Sequence, residues 1–200
     1  DIMTFRIEEK IPMTTLDSAQ FIESLKKQGL QTLYPARIIH SNYFDSAQYG
    51  LFRDSEEGLL PRKKVRIRHY PLVNLDKHTL EIKISSIEGR YKNTTSLSSS
   101  DIKKINKLGY YDSVYGQLEK KVSVTYSREY YSFEGVRITR DTQILYQDLQ
   151  CKSNNFRETD SVVEIKAPKD ISLDFLLRII PSQRRRFSKY CNAIQCLKLT

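Results

Sequence analysis

Tryptophan is missing altogether, and the 200 residues include only three cysteines, three histidines and two methionines. Cys151, Cys191 and Cys196 have neither a metal-type spacing nor the even count of a disulfide framework, so they read as reduced, structural residues. His40, His69 and His78 are scattered, which gives a histidine metal site or a Ser-His-Asp triad little to stand on. No apolar run approaches the roughly 18 residues of a membrane-spanning helix. The first residues also lack a signal-peptide pattern, so the expected location is the cytoplasm, or a membrane surface reached through partner subunits. Internal repeats and low-complexity linkers are missing too; the polar stretch from Thr94 to Ser100 reads as a surface loop.

What is present is charge and alternation. Lysine and arginine number 33 against 24 acidic residues, a net charge of +9 that calls for an anionic partner: nucleic acid, an acidic membrane or phosphates. With 39% hydrophobic residues the chain can build a core, and its length fits one domain or a tight pair, read here as one domain, residues 1–200. Apolar and polar residues alternate from Arg37 to Ile84 and from Val122 to Lys166, with turn-like stretches at Asp54-Ser55-Glu56-Glu57-Gly58 and Glu134-Gly135. Helical patterns occur at about Leu16 to Gln28, with Leu16, Ile22 and Leu25 on one face and Gly29 as a stop. Others run from Asp101 to Leu108, from Leu173 to Ile180 before Pro181, and from Gln183 to about Cys196.

The polar faces of the predicted strands carry the functional argument. In Pro61 to Tyr70, Arg62, Lys64, Arg66 and Arg68 share one face while Lys63, Val65, Ile67 and His69 take the other. The same split gives Thr79, Glu81, Lys83 and Ser85 against Leu80, Ile82 and Ile84. It recurs as Arg6, Glu8 and Lys10 against Phe5, Ile7 and Ile11, as Arg137, Thr139 and Asp141 against Val136 and Ile138, and as Glu164 and Lys166 against Val163 and Ile165. One strand departs, because alternation groups Arg128 with Val122 and Val124; either a bulge shifts the register or that face is mixed. A single such face is ordinarily the wet side of a sheet. Five faces that interleave Arg and Lys with single carboxylates instead suggest a closed sheet whose charges point inward around an anion. Arginine matches phosphate oxygens with its planar fork and lysine adds a compact charge. The carboxylates repel phosphate, but they suit a hard divalent cation such as Mg²⁺ or Mn²⁺ that bridges phosphates.

These motifs also carry a family resemblance. Arg6-Ile7-Glu8-Glu9-Lys10, Ser41-Asn42-Tyr43-Phe44-Asp45 and Arg62-Lys63-Lys64-Val65-Arg66-Ile67-Arg68-His69-Tyr70 come first. Leu80-Glu81-Ile82-Lys83, Tyr126-Ser127-Arg128-Glu129-Tyr130-Tyr131 and Val136-Arg137-Ile138-Thr139-Arg140-Asp141 follow, then Val163-Glu164-Ile165-Lys166 and Phe187-Ser188-Lys189-Tyr190. In this order the chain resembles the polyphosphate polymerase domain of the vacuolar transporter chaperone (VTC) proteins, within the triphosphate tunnel metalloenzyme (CYTH-like) superfamily. The resemblance implies an α+β fold, a closed antiparallel β-barrel of about eight strands with flanking helices. It implies that Lys10, Arg66, Arg68, Lys83, Arg128, Arg137 and Lys189 line the phosphate path, that Lys64, Arg6 and Lys166 support binding, and that Glu164, with Glu8, holds the metal. Arg6 stands where superfamily relatives place the first glutamate of a pair. The implied activity is metal-dependent transfer of the terminal phosphate of a nucleoside triphosphate to a polyphosphate chain. Hydrolysis of triphosphates on the same fold and non-catalytic polyphosphate binding are the alternatives. Expected partners are a nucleoside triphosphate, polyphosphate or pyrophosphate, and membrane-associated subunits; nucleic acid is disfavoured, since the tyrosines cluster at strand ends.

Overall fold

The computed structural model describes residues 6–180 and 187–200. In chain order the elements are β1 (Arg6–Thr14), α1 (Thr15–Lys26), β2 (Gln31–Asp45), α2 (Gly50–Glu57), β3 (Arg62–Tyr70), β4 (Asn74–Ser85), β5 (Arg90–Leu97), α3 (Ser99–Leu108), β6 (Tyr110–Asp112), β7 (Gly116–Phe133), β8 (Val136–Asp148), β9 (Asn155–Arg157), β10 (Asp160–Pro168), α4 (Leu173–Ile179) and α5 (Lys189–Cys196). The fold is α+β, a large antiparallel sheet with a few short helices. Its hydrogen-bonded order is β1-β10-β8-β7-β2-β3-β4-β5, with β6 on β7 and β9 on β8. No pairing between β1 and β5 occurs among the described residues. No described helix is long and apolar enough to cross a membrane, and all three cysteines are free.

The chain divides into two compact units. The first comprises Asp1–Arg37, Tyr126–Ile144 and Glu158–Phe187. In it β1 pairs with β10, and β10 with β8. Odd-even alternation sends Ile11, Ile138, Val163 and Ile165 to one face, where they are buried with Ile22 and Leu25 of α1 and Phe175, Leu176 and Ile179 of α4. Each such side chain, fully buried, contributes roughly 1.5–3 kcal/mol. Helix α1 starts where the Thr14 hydroxyl accepts from the Asp17 amide, and it places Ile22 and Leu25 inward. Leu16, expected on the same face, is 65% exposed, because as the second helical residue it lies before the turn that meets the sheet. Between β7 and β8, Glu134 and Gly135 both take positive φ (46° and 79°), the two-residue hairpin turn that the sequence suggested.

The second unit comprises Ile38–Thr125, Leu145–Arg157 and Ser188–Thr200. Here β2, β3, β4 and β5 pair successively. Phe44, Val65, Ile67 and Leu80 bury one face together with Leu51 and Leu118, and Ile105 of α3 packs against them. Two expectations change. The stretch Asp54 to Glu57 is not a turn but the second half of α2, and only Gly58, at φ 73°, ends it; the Asp45 carboxylate accepts from the Leu51 and Phe52 amides and holds the start of that helix. Thr94 to Leu97, read as loop, belongs to β5, an exposed strand at one end of the sheet order whose polar side chains hid its period. Helix α3 begins two residues before the expected Asp101, because Ser98 and Asp101 form a reciprocal capping box. The final helix is described from Lys189; the earlier part of its predicted span, Gln183 to Arg186, lies outside the described residues.

Candidate functional site

The second unit gathers cations on the polar face of β2–β5. Register puts Lys64 opposite Lys83, and Lys83 opposite Lys92, so three lysines stand in one row across β3, β4 and β5. The adjacent row is Tyr43, Arg66, Glu81 and Thr94, and the next is Ser41, Arg68, Thr79 and Ser96. Arg66 lies under 10% exposed, giving Nε and Nη2 to Glu81 Oε2 (2.7 and 2.5 Å) and Nη1 to the Tyr43 hydroxyl (2.9 Å). Arg68 Nε donates to Ser41 Oγ at 3.1 Å, and its Nη1 lies 3.9 Å from Glu81. Lys92 Nζ reaches the other oxygen of Glu81 at 2.7 Å. Burial would raise the Glu81 carboxyl, but Arg66, Arg68 and Lys92 bring it down to about 2.

Helix α5 adds to the same group. Ser188 caps it by accepting from the Cys191 amide and also accepts from Lys64 Nζ at 2.9 Å. Lys189 follows as the first helical residue. Tyr190 stacks on Tyr43 with ring centroids 5.1 Å apart, and its hydroxyl donates to Asp45. Burial would push the Tyr43 phenol up, yet the charges of Arg66 and Arg68, the hydrogen bond from Arg66 and the charge of Lys189 lower it to about 8. Lys64, Arg66, Arg68, Lys83 and Lys189 thus fall in one unit. Arg62, expected in the same row, turns its guanidinium to the carbonyls of Gly58 and Leu59.

The first unit arranges its charges differently. Lys10 lies opposite Glu164, and Glu8 opposite Lys166. Glu164, 5% exposed, has Arg128 Nη2 and Lys166 Nζ each at 3.4 Å, and Lys10 Nζ is 3.4 Å from Glu8. Arg128 forks onto Asp141 with bonds of 2.6 and 2.7 Å. Burial would raise the Glu164 carboxyl, but the hydrogen bond with Glu8 and the charges of Lys10, Arg128 and Lys166 hold it well below the carboxylate range. Thr139, paired with Glu164 in register, buries its hydroxyl with no hydrogen-bond partner. The Arg128 face is mixed: its guanidinium lies 5.3 Å over the Tyr126 ring two residues earlier. Arg137 is exposed, with its guanidinium 6.0 Å from the centroid of Tyr130. The backbone of Arg6 pairs with Pro168, and its side chain lies outside the described residues.

Sequence reasoning assigned no role to Tyr43, Asp45, Lys92 or Tyr190. The parity of Ser41, Tyr43 and Asp45 along β2 was a usable signal for the first two. Lys92 carried none, since β5 went unrecognised.

The sequence matches the VTC domain family over residues 4–198. No curated protein matches it. Among solved structures it is similar to a candidate adenylate cyclase from Bacillus halodurans, at 16% identity over 96% of each chain with a TM-score of 0.65. It is also similar to a candidate adenylyl cyclase from Hippeastrum with a dominant triphosphatase activity, at 15% identity over 96% of each chain and a TM-score of 0.62. A third, from Vibrio parahaemolyticus, is 13% identical over 96% of this chain and 98% of that one, with a TM-score of 0.57. At these identities the structural likeness is one of fold, whereas the match in sequence spans both charged clusters: the chain belongs to the VTC domain family.

Proposed function

We propose that the chain is a metal-dependent polyphosphate polymerase, which transfers the terminal phosphate of a nucleoside triphosphate to a polyphosphate chain. The observation that carries this reading is the row Lys64, Lys83 and Lys92. Like charges directly opposite one another on neighbouring strands are destabilising, and a chain of phosphates is a ligand that turns such a row into an attraction. Arg66, Arg68 and Lys189 extend the cationic surface, and in this reading Lys10, Arg128 and Arg137 serve the phosphate path, with Lys166 and Arg6 in support. Closure of the sheet into a tunnel of about eight strands, as one domain, is part of the proposal.

A divalent metal belongs to the same reading. Among the described residues no group of three or more His, Cys, Asp or Glu side chains could hold a metal alone. Mg²⁺ is commonly held by one or two carboxylates with phosphate oxygens completing its shell. Glu164 and Glu8 supply such carboxylates, and the orphaned hydroxyl of Thr139 offers a further hard oxygen, so the residues fit Mg²⁺ or Mn²⁺. When bound, the metal supplies charge neutralisation to phosphate oxygens. The chain's own cations position the phosphates, and an already ionised terminal phosphate attacks without a strong base.

Hydrolysis is the second reading, favoured by the triphosphatase activity of the Hippeastrum relative. It requires a carboxylate free to activate water. Glu81, bonded to Arg66 and Lys92 and brought to about 2, is poorly suited as that base. Incubation with ATP and Mn²⁺, with products resolved by length, separates the readings: long phosphate chains support the polymerase, orthophosphate alone the hydrolase, and no turnover a binding module. Glu164→Gln should retain phosphate binding and lose metal-dependent turnover; unchanged turnover with the same metal requirement would reduce Glu164 to a partner of Lys166 and Arg128.

A further inference from the structure

Tyr43 is 5% exposed and lies between the cations just described and helix α5. Its hydroxyl accepts one hydrogen bond, from Arg66 Nη1 at 2.9 Å, and no acceptor for its own hydrogen is present among the described residues. Buried hydroxyls rarely leave that capacity unused. The ring is not free to turn away in search of a partner. Tyr190 stacks against it, the Tyr190 hydroxyl is tied to Asp45, and Asp45 is held by the amides of Leu51 and Phe52. The O–H is therefore presented at a fixed place beside Arg66, Arg68 and Lys189, whose charges would draw an anion to the same spot.

We propose that Tyr43 is a phosphate-binding residue that donates its hydroxyl hydrogen to a bound phosphoryl oxygen, alongside Arg66 and Arg68. The inference rests on the reading of the cationic rows as a phosphate site. Its chemistry gives it a signature that a supporting role lacks. A neutral phenol donates to an oxyanion, whereas a phenolate cannot donate and repels it. The cations that lower the phenol to about 8 bring this loss of function close to neutral pH. The other titratable or charged groups around the ring are Arg66 and Arg68 on β3, Glu81 on β4, Lys92 on β5, Asp45 on β2, and Lys189 and Tyr190 on α5. Tyr43→Phe keeps every one of them, together with the stacked ring, so the difference between the two proteins isolates the hydroxyl.

The test is calorimetric titration of wild type, Tyr43→Phe and Arg66→Ala with inorganic tripolyphosphate, at a series of pH values from about 6.5 to 9.5. Near neutral pH, Tyr43→Phe should bind about tenfold more weakly than wild type. That gap should close as pH rises through about 8. A gap that stays constant or widens as pH rises would overturn the donor role, because a phenolate still accepts from Arg66, and more strongly than the phenol does. Equal affinity of wild type and Tyr43→Phe, with Arg66→Ala weakened, would overturn the inference and leave the phosphate reading standing. Failure of the wild-type protein to bind tripolyphosphate would overturn that reading, and the inference with it.

Discussion

The two units place charges on strand faces by the same alternation and balance them in opposite ways. In the first, register sets Lys10 against Glu164 and Glu8 against Lys166, while Arg128 forks onto Asp141. In the second, it sets lysine against lysine across three strands and brings Arg66, Arg68 and Lys92 to Glu81. A face whose charges pair across strands can stabilise the protein by itself, whereas a face with like charges in register is the one on which the proposed anion would act. Polar parity identifies a charged face; the register across strands tells whether its charges pair or repeat.

The largest expected effect that would sharpen this contrast is on stability. Asp141 is fully buried against Arg128, so Asp141→Ala should cost about 3–5 kcal/mol in denaturant unfolding, as loss of one partner of a buried ion pair does. A cost near zero would mean that the first unit's charges are not its own scaffold. In the second unit the effect should appear in binding. Arg66→Ala and Arg68→Ala should each weaken tripolyphosphate binding by about 1.5–3 kcal/mol, measured by calorimetry, since each loses hydrogen bonds to a charged ligand. Unchanged affinity in both would remove the distinction between the units.

Glu81 links stability to pH within the second unit. Its folded carboxyl is lowered to about 2, below its value in the unfolded chain, so its contribution is present above the ordinary carboxylate range and is lost as pH falls towards 2. Glu81→Gln should flatten the acid side of the stability profile between about pH 4.5 and 2, followed by urea unfolding at each pH. The smallest stability effect belongs to Lys189→Ala, at the half-buried first residue of α5, which should lower stability far less than it lowers turnover. Turnover of the same variant should fall at least about tenfold, equivalent to about 1.4 kcal/mol of transition-state stabilisation. Wild-type turnover would make the start of α5 a plain structural cap.

Much of this was legible in the sequence because period-two alternation is a strong signal where one face is apolar. Val65, Ile67, Ile138 and Ile165 all lie buried where alternation put them, and Arg66, Lys83 and Glu164 take the opposite face. Alternation fails where polarity is uniform, so β5 was lost, and Lys92 with it. It also fails where a helix is amphipathic over barely two turns, as in α2. Register was the part that composition could not supply. Lys64, Lys83 and Lys92 are far apart in sequence, and only hairpin geometry aligns them. Tyr43 was visible as a motif residue, but its role depends on Tyr190, which approaches from a helix 147 positions later in the numbering (190 − 43).

If the lysine row binds phosphate as proposed, the protein's thermal behaviour depends on its chemical surroundings. Like charges in register across β3, β4 and β5 oppose the pairing of those strands, and in that reading an anion that bridges them reduces the opposition. Binding and melting are then linked: once free tripolyphosphate exceeds its dissociation constant, each tenfold rise adds about 1.4 kcal/mol to the folded state. In that reading the melting temperature would be a gauge of phosphate-chain supply, and multivalent anions should raise it where chloride at equal ionic strength only screens the row.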